Sequence, residues 1–141
     1  MACPYFYPVE RAAVATGNRT PPMPLGDSWS GLCRAASGGE WSPDANTAQQ
    51  LCNFGYARER CSRVPDSGPD AVRFSITHDR GGMLGLYWVV EKDHSPFAHG
   101  PLEYSPAGAA FSNPHPDACL AQQARAYATS YLRRKGDSVR Q

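Results

Sequence analysis

Four cysteines in the first half of the chain are the residues best suited to chemistry. They are separated by 29, 18 and 8 intervening residues and comprise Cys3, Cys33, Cys52 and Cys61. Thiolate sulfur is a preferred ligand of zinc and of iron–sulfur clusters, and four thiolates complete either centre. The pattern therefore predicts a four-cysteine site in which Cys3, Cys33, Cys52 and Cys61 bind the metal or the cluster.

The spacing of these cysteines bears on which metal they hold. Structural zinc sites usually take two ligands from one short Cys-x2–4-Cys turn, and no such pair occurs in this chain. Long separations suit a larger cluster, so we favour [4Fe–4S] and keep structural zinc as the alternative. Arg34 follows Cys33 directly and would offset the negative charge of either centre. The site would either fold the N-terminal half or transfer electrons.

Two other uses of cysteine compete with metal binding. Disulfides need an oxidising compartment, and the N-terminal residues show no apolar run typical of an export signal, so we expect a cytoplasmic protein. The thiols could instead be small buried hydrophobic groups. The fifth cysteine, Cys119, lies off the apolar stripe of a predicted helix, together with Gln123, Ala126 and Ser130. We expect Cys119 not to be a ligand, although an exchange with Cys3 is left open.

A basic segment around Cys61 suggests a different function, that of a nucleic-acid-associated module. Three arginines could contact phosphates there while neighbouring aromatic rings stack on bases; they are Arg58, Arg60 and Arg63. The net charge of the chain is only +1, which argues against a broad phosphate-binding face. A protein partner is left open, and no apolar run is long enough for a membrane span.

A histidine-containing segment suggests a third function, that of a small enzyme. His94 and His99 lie near Glu91 and Glu103, and a histidine beside carboxylates can act as a general base. The chain contains no nucleophile elbow, phosphate-binding glycine loop or His-Glu-x-x-His motif. We therefore favour a non-enzymatic protein and assign no catalytic residue.

The first half of the chain contains little that predicts regular structure. Residues 1–40 are rich in turn-forming glycine and proline and show no helical or alternating period, so we expect an irregular segment. A helix is predicted over residues 43–53. Ser42 would cap it, Pro43 suits its first position and Gly55 suits the residue beyond its end.

The second half has clearer periods. Residues 70–79 alternate apolar and polar side chains, and residues 83–91 follow after Gly81 and Gly82, which predicts an antiparallel hairpin. A weaker third strand is expected around residues 100–104.

A C-terminal helix is the clearest single element. Pro116 and Asp117 should open it, and Gly136 should close it. Its apolar stripe, at helical spacing, comprises Leu120, Ala124, Tyr127 and Tyr131.

Together these elements predict an α+β fold, in which a small antiparallel sheet is packed against a C-terminal helix. We expect a single domain, residues 1–141, with a loop-rich metal-binding lobe over 1–65 and the hairpin plus helix over 66–141. Because the first lobe has few apolar residues of its own, a metal cross-link would stabilise it.

Short motifs along the chain also resemble those of a family of small uncharacterised bacterial four-cysteine proteins. The resemblance implies no activity, substrate or cofactor. The motifs are Cys-Pro-Tyr-Phe-Tyr-Pro at 3–8, Leu-Gly-Asp-Ser-Trp-Ser-Gly-Leu-Cys at 25–33, Cys-Asn-Phe-Gly-Tyr-Ala-Arg-Glu-Arg-Cys at 52–61, Asp-His at 93–94 and His-Gly-Pro-Leu-Glu-Tyr at 99–104.

Overall fold

The computed structural model describes residues 2–11, 24–34, 40–44, 47–53, 68–93 and 95–139. Its elements are β1 (Phe6–Arg11), β2 (Trp29–Cys33), a π-helical turn (Ala48–Cys52), β3 (Ala71–Arg80), β4 (Met83–Lys92), β5 (Ser95–Ser105), β6 (Ala110–Phe111) and α1 (Ala118–Val139). The predicted α+β fold, a small antiparallel sheet with a C-terminal helix, is confirmed.

The larger sheet is antiparallel and has the strand order β3-β4-β5-β6. The predicted hairpin is present, and Gly81 and Gly82 form its turn. The third strand is longer than expected and pairs with β4 along most of its length. Strand β6 covers only Tyr104 and Ser105 of β5. Two prolines in the rest of β5, Pro96 and Pro101, lack the N–H group that pairing with a further strand would need.

The N-terminal segment forms a second, two-stranded sheet, so the prediction of an irregular segment there is wrong. Strands β1 and β2 are antiparallel, with Phe6 opposite Cys33 and Pro8 opposite Gly31. A β-carbon on Gly31 would lie 2.8 Å from the α-carbon of Pro8, so the strands approach closely because Gly31 has no side chain. Proline and glycine, which we interpreted as turn residues, therefore lie within strands.

The predicted helix over residues 43–53 is also wrong in its extent and type. Pro43 and Asp44 are not helical, and the regular structure in the described residues of this segment, 43–44 and 47–53, is the π-helical turn Ala48–Cys52. The Asp44 carboxylate accepts a hydrogen bond from the Thr47 backbone N–H at 2.7 Å. Hydrogen bonds from Thr47, from its side chain first and from its backbone second, lower the pKa of Asp44. The Ala48 N–H also donates to the Asp44 carbonyl at 2.9 Å, so Asp44, and not the predicted Ser42, caps the start of this turn.

Helix α1 begins where the sequence predicts. Asp117 accepts hydrogen bonds from the backbone N–H groups of Cys119 and Leu120 at 2.8 and 3.2 Å, as an N-cap residue does. The predicted end at Gly136 is wrong, because the helix continues to Val139. Glycine inside a helix costs only about 1 kcal/mol relative to alanine, so one glycine need not end it.

Two sides of α1 are buried. Leu120 and Ala124 of the predicted apolar stripe lie in the core beside Ala128. The ring of Tyr127, from the same stripe, packs on Phe74 of β3 with centroids 5.8 Å apart. The side that we interpreted as lying off the stripe is buried as well, and comprises Cys119, Gln123, Ala126 and Ser130. One core cluster therefore includes residues from both halves of the chain.

Among the described residues, no helix combines the length and the apolar character needed to cross a membrane.

Candidate functional site

The first and third cysteines lie next to each other. The backbone N–H of Cys3 donates to the carbonyl of Cys52 at 3.0 Å, and both side chains are buried. Cys3 also opens a tight turn, which the Phe6 N–H closes by donating to the Cys3 carbonyl at 3.1 Å. Ala2 pairs with Val72 at the edge of β3 and holds this segment against the larger sheet. The fold therefore joins two predicted ligands from distant parts of the chain.

Asn53 positions the segment that carries Cys52. Its side-chain amide accepts from the Trp29 backbone N–H at 3.0 Å and donates to the Trp29 carbonyl at 2.9 Å. The same amide donates to the Ala48 carbonyl at 2.7 Å, and the residue is completely buried. Asn53 thus replaces a strand partner of β2 and fixes the π-helical turn beside it.

Cys33 ends β2 and is buried opposite Phe6. Its backbone N–H donates to the Trp41 carbonyl at 2.6 Å, and the Trp41 N–H donates back to the Cys33 carbonyl at 2.9 Å. The next residue, Arg34, donates its backbone N–H to the Tyr5 carbonyl at 2.9 Å. Phe6 lies opposite Cys33, and its N–H is hydrogen-bonded to the Cys3 carbonyl. The turn that begins at Cys3 therefore connects Cys33 to Cys3.

Cys119, which we expected not to be a ligand, lies on the other side of the same turn. Its thiol is 3.8 Å from the Tyr5 carbonyl, to which it donates. Burial raises the pKa of the Cys119 thiol to about 11; negative charge at Asp117 adds to this effect, and Arg34 partly offsets it. Cys33 is close enough to raise this pKa further. A thiol that stays protonated at neutral pH is a poor nucleophile.

The four described cysteines therefore surround the turn from Cys3 to Phe6. No three histidine, cysteine, aspartate or glutamate side chains of the described part of the chain form a group able to hold a metal ion. The fourth predicted ligand, Cys61, falls within residues 54–67, outside the described residues. The four-cysteine site stays a prediction.

The residues of the two alternative functions are described only in part. Arg58, Arg60 and Arg63 lie outside the described residues, as does His94. His99 is exposed on β5, where its ring stacks on Tyr87 with centroids 5.6 Å apart and its Nδ1 atom is hydrogen-bonded to the Tyr87 hydroxyl. No carboxylate takes part in these contacts, so they do not form the histidine–carboxylate pair of a general base.

A cleft of about 350 Å³ lies beside the cysteines, between β4, β5 and the start of α1. Aromatic rings of Tyr5, Trp88 and Phe97 line it, and Arg34 and Asp117 supply its charges. The volume falls within the range of small-molecule pockets, about 300–1,000 Å³. The cleft shares Tyr5, Arg34 and Cys119 with the cysteine region, and its other walls come from β4, β5 and the start of α1.

His115 forms part of the cleft wall and is held in one tautomer. Its ring meets Trp88 edge to face with centroids 4.5 Å apart, and its Nδ1 accepts from the Asp117 backbone N–H at 2.9 Å. Burial lowers the pKa of His115 below its ordinary value of 6.5, and Asp117 opposes that shift only in part. A neutral ring whose Nδ1 accepts must carry its proton on Nε2. His115 is therefore a hydrogen-bond donor there.

Sequence reasoning missed Gln123, which attaches α1 to the cysteine-bearing turn. Its side-chain amide donates to the carbonyls of Cys3 and Phe6 at 2.7 and 2.8 Å, and the residue is completely buried. The signal in the sequence was a second stripe of polar and small side chains on α1, which has the same helical spacing as the apolar stripe. A second stripe of this kind indicates that a backbone approaches the helix closely.

No protein-family model, curated protein or solved structure matches this chain. We therefore infer the function of the chain from its own residues and from their geometry.

Proposed function

We propose that this protein binds a metal centre through cysteine thiolates of its N-terminal half, with Cys3, Cys33, Cys52 and Cys61 as ligands. The hydrogen bond between the Cys3 N–H and the Cys52 carbonyl, at 3.0 Å, is the observation that carries the proposal. This hydrogen bond makes Cys3 and Cys52 neighbours, although the two buried cysteines do not belong to the same helix or strand. Cys33 reaches the same region through its pairing with Phe6.

The surroundings of these cysteines suit a thiolate centre. Metal ligation requires deprotonated sulfur, and burial alone disfavours a thiolate, so the metal must supply the compensating charge. Arg34 is the residue after Cys33, and its guanidinium would partly balance the net negative charge of a four-thiolate centre. The wide sequence separation of the ligands favours a [4Fe–4S] cluster, with structural zinc as the alternative.

A structural role is the simplest one for such a centre. The described part of the N-terminal half contains only two short strands and one helical turn. A metal centre linking Cys3, Cys33 and Cys52 would join the turn before β1, the end of β2 and the π-helical turn. Thiolate centres persist in reducing compartments, so we propose a cytoplasmic location.

The test compares Cys52→Ser with Cys119→Ser, because the two cysteines are almost equally buried, at 8% and 7% exposed. Each protein is purified without oxygen, and its iron, sulfide and zinc contents are measured beside its visible absorption spectrum. We expect Cys52→Ser and Cys61→Ser to lose most of the metal. Cys119→Ser should retain the metal.

Circular dichroism of each variant shows whether the chain is still folded. Equal metal loss in Cys52→Ser and Cys119→Ser, with both chains folded, would show that the ligand set is wrong. A folded wild-type protein that takes up neither zinc nor a reconstituted cluster would overturn the proposal.

A further inference from the structure

The cleft beside the cysteine region has the shape and lining of a small-molecule site. Three of the side chains that line it are the aromatic rings named above, and such rings bind flat apolar ligands through burial and stacking. Phe97 is 64% exposed at its rim, which is unusual for so large an apolar side chain. A ligand that covers Phe97 and packs near Trp88 would remove this surface from water.

Arg34 supplies hydrogen-bond donors to the cleft. Its guanidinium lies 4.0 Å above the Tyr7 ring, and its Nη2 donates to Glu40 at 2.8 Å. A guanidinium carries five N–H donors, so this pair leaves several donors unused. Within the described part of the chain, the buried Nε of Arg34 has no hydrogen-bond partner. The Arg34 side chain is 33% exposed, so an acceptor group on a ligand in the cleft would reach the outer donors of the guanidinium and not the buried Nε.

The other charges around the cleft are of both signs, one carboxylate in its wall and one further cation beside Phe97. The carboxylate of Asp117 already accepts two backbone N–H groups at the start of α1, where the helix dipole offsets its negative charge. The Lys92 Nζ lies 5.5 Å from the centre of the Phe97 ring and places a second cation at the rim. His115 adds the Nε2–H donor described above.

We infer that the cleft binds a flat apolar small molecule that carries one carboxylate, with its ring between Trp88 and Phe97 and its carboxylate towards Arg34. This binding function goes beyond the proposed metal centre; the two share Arg34, whereas Trp88 and Phe97 belong to the cleft alone.

The test uses naphthoate as the probe and naphthamide as its neutral counterpart, titrated into the whole protein by calorimetry and followed by amide NMR. We expect naphthoate to bind about tenfold more tightly than naphthamide, because a charge-assisted hydrogen bond is stronger than a neutral one. Arg34→Gln should remove that difference while leaving naphthamide binding unchanged.

Phe97→Ala provides a second measurement, because its exposed side chain is not needed for folding. We expect it to weaken both probes about fivefold through lost apolar burial. The control is Val9→Ala, which alters another exposed apolar residue, 55% exposed against 64% for Phe97, outside the cleft. Three results would overturn the inference: equal affinity for the two probes, equal effects of Phe97→Ala and Val9→Ala, or no binding of either probe at millimolar concentration.

Discussion

Replacement of Asn53 by alanine tests how the N-terminal half of the protein is held together. The change removes three hydrogen bonds to buried backbone groups, two at Trp29 and one at Ala48. Each such bond is worth about 0.5–1.5 kcal/mol net, and leaving its partner unsatisfied costs more. We therefore expect the free energy of unfolding to fall by about 3 kcal/mol, which corresponds to about 10 °C in Tm for a chain of this size.

The measurement is urea unfolding of the protein as purified under reducing conditions without oxygen, followed by circular dichroism and by tryptophan fluorescence. The matched control is Asn113→Ala. Asn113 makes the same kind of backbone bridge, accepting from the Glu103 N–H at 2.9 Å and donating to the Pro101 carbonyl at 3.2 Å, but it is exposed. Water can replace its bonds, so we expect a loss below about 1 kcal/mol there. Equal losses in the two variants would refute the reasoning.

Three further predictions concern α1 and its contacts. Gln123→Met keeps the side-chain volume but removes two donors to buried carbonyls, so urea unfolding should show a loss of about 2 kcal/mol. Gly26→Ala should lower the free energy of unfolding by about 3 kcal/mol, because Gly26 has a φ of +86° and a β-carbon there would lie 2.5 Å from the β-carbon of Ser130. The control Gly81→Ala should lower it by only about 1 kcal/mol, because Gly81 has a similar φ of +63° but open space around it. Hydrogen bonds from Lys135 and from a tyrosine hydroxyl hold the pKa of the Asp79 carboxyl below its ordinary value of 3.8. The stability that this carboxylate contributes should therefore be present above pH 3.8 and should disappear as the pH falls through its lower folded value. In acid unfolding curves the wild type and the Asp79→Asn variant should converge there; a constant difference down to the lowest pH would contradict this.

The second half of the fold could be predicted because its signals are local. Gly81 and Gly82 between two runs of alternating residues indicate a hairpin, and Asp117 before an apolar helical stripe indicates a helix start. The structure has both elements.

The N-terminal sheet could not be predicted, because its pairing is non-local and its residues resemble those of turns. Gly31 within β2 allows a close approach that only the folded partner strand reveals. The burial of Asn53 was equally hidden, since an asparagine near glycine normally indicates a turn.

The candidate site shows the same division. Sequence spacing identified the cysteines, but the contact between Cys3 and Cys52 arises from the folded chain. From the sequence we assigned only one apolar stripe to α1 and placed Cys119 off it. The side of α1 that carries Cys119 is nevertheless buried against the N-terminal turn. The cleft depends on rings from three different segments, and no local pattern brings them together.

X-ray absorption at the iron and zinc edges of anaerobically purified protein tests the proposed metal centre most directly. We expect one metal species, coordinated by four sulfur atoms at about 2.3 Å, with additional iron–iron scattering if the centre is a cluster. Loss of that sulfur shell in Cys52→Ser, but not in Cys119→Ser, would assign the ligands. A folded protein without bound metal, or a metal surrounded by oxygen and nitrogen atoms alone, would contradict the account.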